Sequence, residues 1–110
     1  MSPEEIAPSS VHEKKLAHPE LILIDVRTPD EYAQVHASYA KLIPLDQFEA
    51  ASTSSPLPAN IAKEEEIYLI CRSGARSRRA GEILLKFGYK KLFNVTGGTI
   101  RWLEEDLPVE

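Results

Sequence analysis

Apolar and polar positions follow two different rhythms along this chain. Residues 21–26 (LILIDV) are apolar except for Asp25, and residues 67–70 (IYLI) are apolar up to Cys71. Short continuous runs of this kind are the signature of strands buried on both faces. Residues 91–95 form a further strand candidate, 41–44 a brief one and 4–7 a short edge strand. Elsewhere the period lengthens. Ala80, Ile83, Leu84 and Phe87 recur at i, i+3, i+4 and i+7, which places one apolar face on a helix that Gly88 ends. Thr28-Pro29-Asp30-Glu31 supplies a capping residue, a proline in the first turn and a glutamate three beyond the cap, so a helix should run from there to about Val35. Ser10 and Glu13 have the spacing of a capping box and predict a short helix to about Ala17. Residues 45–50 read as a helical turn, 51–60 (ASTSSPLPAN) as an exposed loop, Gly97-Gly98 as a turn and 99–105 as a final helix carrying Trp102. Strands alternating with helices predict an α/β fold around a largely parallel sheet.

Composition narrows this picture. The 110 residues, 43% of them hydrophobic, suit one domain over residues 1–110, and no repeat or linker divides them. A net charge of −4 argues against general nucleic-acid binding. No apolar run approaches the length of a bilayer span. Residues 1–8 are acidic and lack the basic-then-apolar layout of a signal peptide, so the expectation is a cytoplasmic protein with no membrane or nucleic-acid partner. The single cysteine, Cys71, cannot form an intramolecular disulfide. His12, His18 and His36 are not spaced as metal ligands, so neither a metal nor another cofactor is expected.

The distribution of charge says more than its total. Residues 71–91 hold Arg72, Arg76, Arg78, Arg79, Lys86, Lys90 and Lys91 against the single acid Glu82, in a chain that is acidic elsewhere. Such a stretch is either a solvated helix face or a site for a small anion. Cys71 decides which to pursue. It lies where a buried strand gives way to a helix, with Arg72-Ser73-Gly74-Ala75-Arg76 between. In open α/β sheets ligands bind at the carboxyl ends of strands, and a helix N-terminus there attracts anions. Gly74 permits a tight turn, Ser73 brings a hydroxyl, and Arg72 and Arg76 bring fork-shaped cationic donors. These features should lower the Cys71 pKa below the free-thiol value of ~8.5 and make the thiolate a nucleophile rather than a buried structural thiol.

Cys71-Arg72-Ser73-Gly74-Ala75-Arg76-Ser77 resembles the active-site loop of rhodanese-like sulfurtransferases. Leu23-Ile24-Asp25-Val26-Arg27 followed by Glu31-Tyr32 resembles their D-V-R-x-x-x-E-[YF] signature, and Gly97-Gly98 with Trp102 resembles their G-G-x-x-x-W. His36, Ala40, Ile43 and Pro44 match part of a further stretch, from which Val35, Ala37, Tyr39 and Leu42 depart. The resemblance implies a mainly parallel five-stranded sheet with helices on both faces. It also implies sulfur transfer, with Cys71 as the catalytic residue and residues 72–76 binding the substrate. Asp25, Arg27 and Ser77 would support the loop. Thiosulfate or another small anionic donor would give its sulfane sulfur to Cys71. Cyanide or a thiol such as thioredoxin or glutathione would accept it. A persulfide carrier or interaction module serving a partner protein is an alternative. Phosphatases on a similar fold close their loop as C-x5-R, whereas here Ser77 is sixth after the cysteine and the arginine is at 76. The shorter cradle favours a sulfane sulfur over phosphate or arsenate.

Overall fold

The computed structural model describes residues 1–51 and 61–110; all but the first residue of the expected loop at 51–60 lies outside them. In chain order the elements are β1 (Glu4–Ile6), α1 (Pro8–Ala17), β2 (Ile22–Asp25), α2 (Pro29–Gln34), β3 (Lys41–Leu42), α3 (Leu45–Glu49), β4 (Glu66–Ile70), α4 (Ala75–Lys86), β5 (Lys91–Val95) and α5 (Gly98–Glu104). The strands form one five-stranded sheet in the order β1-β5-β4-β2-β3. Every pairing between these strands is parallel. The expected α/β architecture is therefore the observed one. An isolated antiparallel bridge, Ala37 to Val109, ties the C-terminal segment down beyond the sheet.

Alternation along β4 builds two cores. Ile67, Leu69 and Cys71 face one side, where they meet Phe48 of α3 and Ala80, Ile83 and Leu84 of α4. Tyr68 and Ile70 face the other, where they meet Val11 of α1 and Trp102 of α5. A strand with apolar side chains on both faces needs cover on both, and the helices divide accordingly. Trp102 is fully buried, with its indole N–H donating to the Pro108 carbonyl at 2.9 Å. It packs on the face opposite Cys71.

Two local expectations need correction. The capping box at Ser10 does not form. α1 opens three residues earlier, with Pro8 in its first turn and Ala7 in place of Ser10 as an N-cap that makes no side-chain bond. Proline's fixed φ and missing N–H suit it to the first helical position, so Pro8 outcompetes Ser10 as the start. β3 is only Lys41–Leu42: the Ile43 N–H still bonds the Asp25 carbonyl of β2, but the Leu45 N–H bonds the Val26 carbonyl, one residue out of step with the ladder. The box at Thr28 and Glu31 does form, in both directions. Among residues 35–42, Tyr39 fills its position by packing into the second core, where burial pushes its pKa up to about 12. Among the described residues no helix is long and apolar enough to cross a membrane.

Candidate active site

The C-terminal ends of β2 and β4 lie side by side, with Asp25 paired to Ile70 in register. Cys71 follows at once and is only 1% exposed. The chain then turns through residues 72–74 into α4. Gly74 takes φ +117, in the left-handed region that glycine adopts without a Cβ penalty. This turn aims its own backbone back at the sulfur. The Gly74 N–H donates to Cys71 Sγ at 3.0 Å, and the Ser77 hydroxyl, one helical turn on, lies 3.2 Å from Sγ. The first amides of α4 have no partner within the helix, whose ladder begins with the Arg78 N–H on the Gly74 carbonyl at 3.1 Å. Burial alone would raise the Cys71 pKa. Hydrogen bonds from the Ser77 hydroxyl and from the N–H groups of Ser77, Gly74 and Ser73 outweigh it, and the pKa falls below the ordinary thiol value.

The loop is held from behind. Thr99, in the first turn of α5, donates its N–H and its hydroxyl to the Cys71 carbonyl at 2.8 and 2.9 Å, and the Ile100 N–H reaches the Arg72 carbonyl at 3.2 Å. Gly98 permits this approach, because a Cβ there would lie 2.5 Å from both carbonyl oxygens.

The expected site residues divide into three sets. Arg72, Ser73 and Ala75 stand exposed at the surface of the loop, Gly74 shapes it, and Ser77 is fully buried against the sulfur. Arg76 points elsewhere. Its guanidinium forms a two-pronged pair with the Glu31 carboxylate at 2.7 and 2.9 Å. The Arg76 pair holds Glu31 at a pKa of about 2, despite the opposing effect of its partial burial, with further help from Thr28. Asp25 and Arg27 pair with each other beneath the loop. The Arg27 guanidinium donates to Asp25 at 2.8–3.1 Å and to the Val35 carbonyl at 2.7 Å. They buttress the end of β2 and make no hydrogen bond to Cys71. His36 is likewise engaged away from the sulfur, stacked on Tyr32 and bonded to its carbonyl at 2.7 Å.

Three of the four arginines that follow Cys71 in the loop and α4 are paired with carboxylates in three dimensions. Arg76 meets Glu31, Arg78 meets Glu5 at 3.3 Å and Arg79 meets Glu49 at 3.8 Å. Arg72 makes no ion pair among the described residues. The sulfur is therefore polarised by hydrogen bonds more than by the arginine charges that the sequence suggested. Sequence reasoning also missed Asn94 on β5. It is 3% exposed, and its side chain reaches Ser77 at 2.5 Å, the Gly74 carbonyl at 3.0 Å and Glu5 at 3.0 Å. A lone amide among the apolar residues that follow Lys91 in KLFNV was the available signal.

The family model described as a rhodanese-like domain matches residues 9–105. A sulfurtransferase from Allochromatium vinosum is 31% identical over 96% of this chain and 92% of its own length. A putative mitochondrial thiosulfate sulfurtransferase of Schizosaccharomyces pombe is 34% identical over 76% of this chain and 64% of its own. The crystal structure of a rhodanese-like domain protein from Staphylococcus aureus superposes with a TM-score of 0.75 at 31% identity, covering 90% of each chain.

Proposed function

Because this chain belongs to the rhodanese-like sulfurtransferase family, we propose that it moves a sulfane sulfur from thiosulfate, through a persulfide on Cys71, to cyanide or a cellular thiol. One observation carries the reading: a lone cysteine at the end of β4, in the turn that leads into α4, its sulfur receiving the Gly74 N–H and Ser77 hydroxyl, with its pKa below the ordinary value. A thiolate at neutral pH is the attacking species such chemistry needs.

In the first half-reaction the Cys71 thiolate attacks the outer sulfur of thiosulfate. A bond forms between the two sulfurs, the bond from outer sulfur to sulfonate breaks, and its electron pair leaves with sulfite. The product is the persulfide anion. Its outer sulfur is suited to the open first-turn amides of α4, which offer N–H donors and the positive end of the helix. Arg72, exposed and without an ion-pair partner among the described residues, is the residue best suited to meet the sulfonate. In the second half-reaction the acceptor attacks the outer sulfur, and the Cys71 thiolate leaves. Reduced thioredoxin and glutathione are acceptors of the right chemistry. The S. pombe relative's name supports thiosulfate as donor.

The test is intact mass. Thiosulfate should add one sulfur, ~32 Da, to the protein, and cyanide should remove it as thiocyanate. Cys71→Ser should show neither event. Sulfur gain from a protein persulfide but never from thiosulfate would identify a carrier. Efficient hydrolysis of p-nitrophenyl phosphate with no sulfur gained from any donor would replace the reading with a phosphatase.

A further inference from the structure

The Ser77 hydroxyl has one proton and more acceptors than it can serve. Its oxygen lies 3.2 Å from Cys71 Sγ, 2.5 Å from Asn94 Oδ1 and 3.2 Å from the Gly74 carbonyl oxygen. The carbonyl is already served by Asn94 Nδ2 at 3.0 Å and by the Arg78 N–H at 3.1 Å. The contest is therefore between Sγ and Oδ1.

The Asn94 amide cannot turn over to relieve it. The β1–β5 register sets Glu5 opposite Asn94, and Nδ2 donates to the Glu5 carboxylate at 3.0 Å as well as to Gly74. Glu5 is held ionised: hydrogen bonds from Asn94 and Thr96 and the Arg78 charge outweigh its burial and keep its pKa below the usual carboxylate value. A carboxylate and a carbonyl accept and never donate, so both pin the amide NH2 on their side and leave Oδ1 facing Ser77. Among the described residues Ser77 is the only donor to that oxygen.

We propose that Asn94 is a positioning residue for the reacting sulfur: its amide oxygen competes with Cys71 Sγ for the Ser77 proton, so the hydroxyl points at Asn94 when the sulfur is a thiol or persulfide and at Sγ when it is a thiolate. The thiol can donate its own S–H to Ser77 Oγ while Ser77 donates onward to Asn94, and every group in the chain is satisfied. On ionisation the thiol proton leaves to solvent. The charged Sγ becomes the stronger acceptor, and the hydroxyl turns to it, keeping its own proton. When Sγ bonds a second sulfur, the charge moves to the outer atom and Sγ becomes a weak divalent acceptor. The hydroxyl then returns to Asn94. Asn94 thus favours the two states in which Sγ is uncharged, and it opposes the help that Ser77 gives the thiolate. The persulfide half of this cycle rests on the sulfurtransferase reading; the thiol–thiolate half stands without it.

Charged groups facing this corner are Glu5 on β1, Arg72 in the loop, and Arg76 and Arg78 on α4. Glu31 on α2 and the Asp25–Arg27 pair at the end of β2 stand behind them. The test leaves all of them in place. The ionisation midpoint of Cys71 is read from the ultraviolet absorbance of the thiolate, with Cys71→Ser as the blank, in the full chain without any sulfur donor. Asn94→Leu should lower the midpoint by roughly half a unit to one unit, the size of one net hydrogen bond. Ser77→Ala should raise it. In a Ser77→Ala background Asn94→Leu should change nothing, because the competitor has lost its prize. An Asn94→Leu shift that is absent, upward or equally large without Ser77 overturns the proposal. Thermal melting checks the fold of each variant. Should Asn94→Leu fail to fold, the smaller Asn94→Val, a strand-forming residue, replaces it. It too removes the competing oxygen and should lower the midpoint, and it should change nothing when Ser77 is absent; an equal shift in both backgrounds overturns the proposal. Loss of sulfur transfer from thiosulfate in the wild type would count against the sulfurtransferase reading and leave this titration unaffected.

Discussion

The Glu31 carboxylate accepts from Thr28 at the start of α2 and from Arg76 at the start of α4. One side chain thereby joins the first signature of the sequence to the cysteine loop. Its folded pKa of about 2 lies below the ordinary 4.5, so the pair contributes stability that is present above pH 4.5. That stability is lost as pH falls through about 2, when the folded carboxylate takes up its proton. Glu31→Gln keeps an oxygen for the cap and removes only the charge. Both side chains are partly solvated, so the expected cost at neutral pH is about 1 kcal/mol after screening. Urea unfolding at neutral pH should resolve this gap between wild type and variant, and repeating it at progressively lower pH should close it. A gap that persists in strong acid would place the cost in packing and not in charge.

α5 does for the loop backbone what α4 does for the sulfur. α4 supplies donors to Sγ, whereas α5 supplies donors to the carbonyls of Cys71 and Arg72 from the opposite side. The approach is close because Gly98 has no Cβ and holds φ +58. Gly98→Ala should force the two elements apart. Overpacking against rigid backbone, added to a strained positive φ, should cost about 2–3 kcal/mol of stability. Persulfide formation from thiosulfate should fall by at least tenfold, since a displacement of about 1 Å in a reacting group costs that much or more. Thermal melting and the rate of sulfur gain measure the two effects. Normal transfer in a folded Gly98→Ala protein would mean that the loop does not depend on α5.

At the scale of the molecule, electrostatics turns on which charges are already spent. β1, α2 and α3 each send a glutamate to an arginine of α4, which leaves Arg72 as the loop cation free of such a pair among the described residues. Arg72→Ala should therefore raise the thiosulfate KM about fivefold, equivalent to ~1 kcal/mol at an exposed charged contact. Arg78→Ala and Arg79→Ala, whose charges are met by Glu5 and Glu49, should change it by less than about twofold. Steady-state kinetics at low ionic strength checks the order. Equal effects from all three would mean that a diffuse field, not a particular contact, draws the anion.

Much of this was legible in the residues themselves. The apolar runs at 21–26 and 67–70 pointed to buried strands, and the i, i+3, i+4, i+7 spacing from Ala80 oriented α4. Thr28 and Glu31 announced their helix because a capping box is local, complete within four residues. Cys71, Gly74 and the start of α4 were legible for the same reason: a strand, a turn and a helix N-terminus are contiguous in the chain. Tertiary structure decided what contiguity could not. Whether Arg76 faces a substrate or a carboxylate depends on Glu31, 45 residues away. Whether the Ser77 hydroxyl serves the sulfur alone depends on Asn94, and which way that amide faces depends in turn on Glu5, 89 residues from it. Charge and hydrogen-bonding capacity belong to single residues and can be read from the sequence. Their satisfaction belongs to pairs, and the pairs around this sulfur exist only once the sheet has set β1 beside β5 and both cores have closed.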